Sequence, residues 1–246
     1  MGQEFYAILF RAGSSGRFVG NLVWGSIYPN RYSFTTSEYN STHTQTPWGT
    51  SFKFNTERLM YLWREKNIFD KIQLLSNKAL ITAHSTVNFD EFFTKFPFGK
   101  LILVTLTEDD LFEVYSNSLL KNGFENFKSS RMDYPDKIYI LNKYKEKFGV
   151  NPIDDNFSDE FKKELLIPYF NSTFKVGADN YFMNVVIPDE YKSKILLLPY
   201  NQLVNDKNLT LRNISAFINR NIPSNIIRFY DEYLNGRNQL VEKYMT

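Results

Sequence analysis

Short apolar runs recur along the chain, with longer amphipathic stretches between them. Tyr6–Phe10, Ala79–Ala83, Leu101–Thr105 and Lys194–Leu198 are each nearly continuous in apolar residues. That is the pattern of parallel strands covered on both faces. The stretches between them repeat with a helical period. Arg17–Trp24 follows the first strand, Thr56–Lys66 sets Leu59, Leu62 and Trp63 on one face, and Phe89–Phe96 and Asp109–Lys121 flank the third strand. Strands alternating with helices predict an α/β fold built on a doubly wound parallel sheet.

Two regions break the rhythm. Residues 28–55, rich in Ser, Thr, Asn and Tyr, read as a long loop, the kind that usually carries function inside a compact domain. Residues 122–190 read as an insertion of helices and loops. Within it, Ser158 ahead of Phe161, Leu165 and Leu166 predicts a capped amphipathic helix. The C-terminal region, Leu209–Tyr244, is helical by period, with turns expected near Ile222-Pro223 and Asn235-Gly236. No repeat or low-complexity linker divides the chain, so residues 1–246 are expected to form a single domain.

Composition narrows the chemistry. With 29 basic and 27 acidic residues the net charge is +2, too balanced to predict a nucleic-acid partner, so any anion site must be local. The absence of cysteine excludes disulfides, zinc thiolate sites, iron–sulfur clusters and a thiol nucleophile. No run of 18 apolar residues predicts a membrane span, and no basic segment precedes the first strand as in a signal peptide. A cytoplasmic setting is the expectation, and nothing in the sequence predicts a metal site.

The local anion site is predicted directly after the first strand, in "RAGSSGRF". Gly13 and Gly16 permit positive φ and close backbone approach. A helix N-terminus follows, with free amides and the positive end of its dipole. Ser14 and Ser15 add hydroxyls, and Arg11 and Arg17 bracket the turn with charge. This strand–loop–helix is like a nucleotide P-loop, but Phe18 stands where the magnesium-binding hydroxyl would be and Arg17 where the lysine would be. A magnesium-dependent kinase is therefore disfavoured.

The same stretch resembles the 5′-phosphosulfate loop of sulfotransferases. There a strand leads into Lys or Arg, a small residue, Gly and two Ser/Thr before a helix, and Arg11-Ala12-Gly13-Ser14-Ser15 follows that order. The resemblance implies a P-loop-like fold that moves a sulfuryl group from 3′-phosphoadenosine 5′-phosphosulfate (PAPS) without a metal. It implies donor contacts from Arg11, Gly13, Ser14, Ser15, Gly16 and Arg17. His84, at the end of the second strand, takes the place of the family's catalytic base. Glu38, in the long loop, is the weaker alternative base, and His43 in the same loop is a candidate to line an acceptor pocket. The segment Tyr200-Asn201-Gln202-Leu203, after the last strand, is similar to the family's late strand–helix block.

The third strand departs from the family. An Arg and a later Ser there hold the donor's 3′-phosphate. Here Thr105, Leu106 and Thr107 occupy the Arg position, Glu108-Asp109-Asp110 follow, and Ser116 is the nearest serine. Gly236-Arg237 is the sole echo of a late basic loop, and Arg237 reads by itself as a solvated residue at a helix end. The expected acceptor is a carbohydrate or other small-molecule hydroxyl, lying between the 28–55 loop and the 122–190 insertion. The alternative is a catalytically inert relative acting as an interaction or virion-associated module.

Overall fold

The computed structural model describes residues 4–11, 13–27, 78–83, 88–124, 127, 135–152, 156–173 and 180–246. The 28–55 loop with Glu38 and His43, the Thr56–Lys66 helix, Ala12 and His84 all lie outside those residues. The fold is α/β. Four strands, β1 (Glu4–Leu9), β2 (Lys78–Ala83), β3 (Gly99–Thr105) and β4 (Ile195–Pro199), form one sheet in the order β2-β1-β3-β4. All neighbours are parallel, with Ala7 level with Ile81 on one side and with Leu101 on the other.

The two central strands have the sequence their position requires. Tyr6–Phe10 and Leu101–Val104 are buried throughout, so both faces of the sheet are covered and alternation is unnecessary. Among the described strands β4 lies at the edge, with half-buried Leu196 and Leu197. It ends at Pro199, whose missing amide is tolerated at an edge.

The strand order fixes where a ligand would lie. From β1 the chain passes to β2 on one side, whereas from β3 it passes to β4 on the other. The carboxyl ends of β1 and β3 thus flank the point where the winding reverses, the usual ligand crevice of open α/β sheets. Helix α1 (Gly16–Ile27) leaves the first of these ends and α3 (Glu108–Ser118) the second, while α2 (Phe89–Lys95) precedes β3.

A π-helical turn, Leu119–Phe124, extends α3 further than the sequence pattern predicted. The 122–190 region contains α4 (Pro135–Phe148), α5 (Asp159–Thr173) and the short α6 (Asn180–Met183). The expected cap at α5 is present: the Phe161 amide donates to Ser158 Oγ at 3.2 Å.

After β4 come α7 (Tyr200–Asn205), α8 (Lys207–Ile218) and α9 (Ser224–Tyr244). The break before Pro223 lies where expected, with Asn219 closing α8 in the left-handed region at φ 52°. The second expected turn is absent. α9 runs unbroken through Asn235-Gly236, because its apolar face continues from buried Tyr230 and Tyr233 to Leu240 and Tyr244 packed against the core, outweighing the roughly 1 kcal/mol helix cost of a glycine. Among the described residues, no helix is long and apolar enough to cross a membrane.

Candidate functional site

The loop from Arg11 to Gly16 sits at the carboxyl end of β1, and its glycines are fixed by close contact as well as by backbone conformation. Gly13 has φ 91°, and a Cβ there would lie 2.0 Å from the Val114 carbonyl oxygen on α3. A Cβ on Gly16 would fall 1.9 Å from the Phe10 ring. The loop therefore lies directly against the backbone of α3, and no larger residue would allow that approach.

Ser15 precedes α1 in the left-handed region at φ 64°. The first bond of the helix joins the Val19 amide to the Ser15 carbonyl at 3.2 Å. The amides of Gly16, Arg17 and Phe18 come before it and have no acceptor within the helix. No acidic residue stands in the first turn of α1. These amides form the part of the site that can take an anion.

The hydroxyls are disposed differently from one another. Ser14 is fully buried, and its Oγ donates to the Arg11 carbonyl at 2.7 Å, closing the turn that the Ser14 amide also makes with that oxygen. Ser15 is half-buried, and its Oγ accepts a hydrogen bond from the Tyr233 hydroxyl on α9. Phe18 is buried beneath the same helix, stacked on Tyr233 at 3.6 Å and flanked by Phe229 and Tyr230. The position that would hold a magnesium-binding hydroxyl in a P-loop is thus a core contact here.

Arg11 is half-buried, with its guanidinium 4.8 Å from the centroid of the Tyr115 ring. Its charge also reaches α4 and α5, where the Tyr169 hydroxyl donates to Asp136 Oδ1 at 2.6 Å. Burial pushes the Asp136 carboxyl above its ordinary range, against the opposing effects of the Tyr169 bond and the Arg11 charge. Burial, reinforced by Asp136, likewise raises Tyr169. Tyr115, Asp136 and Tyr169 carried no sequence signal, since each looks like one more core or surface residue.

The end of β3 is closed on itself. Asp110 Oδ2 accepts from both the Thr107 amide, at 2.7 Å, and the Thr107 hydroxyl, at 2.8 Å. Glu108 and Asp109 complete an acidic first turn. An anion would meet carboxylates there instead of free donors.

Ser116 lies on the helix that supports the Gly13 loop, but it is fully buried and its Oγ has no hydrogen-bond partner among the described residues. Arg237 also departs from expectation. It is a partly buried residue within α9, bonded through Nε to Glu113 Oε1 at 2.7 Å and through Nη2 to Glu113 Oε2. Tyr200 adds a bond to the same carboxylate at 2.6 Å. Burial opposes the Arg237 charge, and Glu113 more than offsets it, raising the guanidinium above its ordinary value. A solvated helix end was the wrong expectation, because α9 does not stop at Gly236.

Compared with known proteins, the sequence matches no family model and no curated relative.

Proposed function

We propose that the loop Arg11–Gly16 and the first turn of α1 bind a sulfate or phosphate ester, and that the protein is a metal-independent sulfotransferase using PAPS. The reading is carried by one observation: amides with no acceptor among the described residues at the start of α1, presented at the carboxyl end of a central strand by two glycines that admit no side chain. The 5′ end of the donor fits these residues. The amides of Gly16, Arg17 and Phe18, with Arg11, would surround a phosphosulfate and stabilise charge on the bridging oxygen as the sulfur–oxygen bond breaks. The acceptor oxygen forms the new bond to sulfur, its proton passes to His84, and adenosine 3′,5′-bisphosphate leaves with the electron pair of the broken bond.

The 3′ end of the donor does not fit the place the sequence resemblance assigned to it. Asp110 fills the cap of α3, and Ser116 is buried. This favours a second reading, a relative that binds a simpler anion or an interaction partner without transferring a sulfuryl group. A magnesium-dependent kinase is the least favoured, because Phe18 is sequestered by α9.

The test is thermal unfolding with millimolar adenosine 3′,5′-bisphosphate or PAPS. A ligand at 100 times its Kd should stabilise the protein by about 2.7 kcal/mol, and Arg11→Ala should abolish the rise. No shift with either ligand contradicts the sulfotransferase reading.

A further inference from the structure

We infer that Tyr233 is a positioning residue of the loop: it fixes the Ser15 hydroxyl as a hydrogen-bond donor to the bound anion. The inference rests on the anion-site reading above and extends the site to the C-terminal helix.

The two loop serines differ in what remains for a ligand. The Ser14 proton is committed to the Arg11 carbonyl at 2.7 Å. Ser15 Oγ is an acceptor, receiving the Tyr233 proton, and its own proton has no acceptor among the described residues. Sulfate and phosphate ester oxygens only accept hydrogen bonds. A hydroxyl already occupied as an acceptor is therefore held in the state that serves them.

Tyr233 is well held for this task. It is 2% exposed, and its ring stacks on Phe18 with 8° between the planes. Phe18 is fixed in turn by Phe229 and Tyr230, one turn earlier on α9. One turn later on the same helix, Arg237 pairs with Glu113 on α3, the helix whose backbone meets Gly13. α9 is thus tied both to the start of α1 and to the wall behind the loop. Without the Tyr233 hydroxyl, the Ser15 hydroxyl would rotate freely, and ordering it would fall to the ligand.

Calorimetric titration with adenosine 3′,5′-bisphosphate and with inorganic pyrophosphate tests this, using the full chain, Tyr233→Phe, Ser15→Ala and the double variant. Phenylalanine keeps the stack on Phe18 and removes the donor. Tyr233→Phe should weaken binding about three- to tenfold, Ser15→Ala by a similar factor, and the double variant no more than Ser15→Ala alone. A merely structural tyrosine would lower the melting temperature without this non-additivity in affinity. Unchanged affinity in Tyr233→Phe, or losses that multiply independently, would overturn the inference while leaving the anion loop standing. If the unaltered chain binds neither ligand, the anion-site reading fails and the role of Tyr233 fails with it.

Discussion

The carboxyl ends of β1 and β3 are neighbours in one sheet, and each leads into a helix, but their chemistry is opposite. At β1 a Gly-Ser turn opens onto α1 with no acidic residue in the first turn. At β3 three acidic residues follow Thr107, and Asp110 turns back to satisfy the Thr107 amide and hydroxyl. The dipole of α3 is answered by its own first turn, whereas no acidic residue in the first turn of α1 answers its dipole. Topology supplies two equivalent helix starts, and the side chains of the first turn decide which can bind an anion.

The largest expected effect comes from removing the feature that lets the β1 loop lie against α3. Gly13→Ala places a Cβ 2.0 Å from a backbone oxygen at φ 91°. It should cost about 3 kcal/mol or more in chemical denaturation. A loss below about 1 kcal/mol would mean the loop can move off α3 at little cost.

The matching change at β3 should be milder. Asp110→Ala removes the acceptor for Thr107 and should cost about 1 kcal/mol, while anion affinity stays as it was. A change in affinity would show that the two ends are not independent.

The smallest effect concerns pH and the charge beside Arg11. Asp136 is raised above its ordinary 3.8 in the fold, so the folded state holds its proton more firmly than the unfolded chain does. The stability from this group is fully present below pH 3.8 and is lost as pH rises through the higher folded value. Asp136→Asn should flatten that slope in melts taken across the acid range. Arg11→Ala should steepen it, because the arginine charge opposes the shift.

The strands were legible because β1 and β3 are covered on both faces and read as unbroken apolar runs. The β1 loop was legible because its glycines and serines are local in sequence. Its surroundings were not. Tyr233 reaches Ser15 across 218 residues, and its position in the run Phe229, Tyr230, Tyr233 announces only a buried helix face. Asp136 and Tyr169 meet through tertiary packing of the insertion, which no spacing rule encodes. The expected turn at Asn235-Gly236 failed for the same reason: local propensity favoured a break, and burial of the α9 face overrode it. Arg237 consequently stands where Glu113 can reach it.

The most direct measurement is amide mapping by NMR during titration with adenosine 3′,5′-bisphosphate. The account predicts saturable shifts at the Gly13–Phe18 amides and little change at Thr107–Asp110. Shifts concentrated at Thr107–Asp110, or none at Gly13–Phe18, would contradict it.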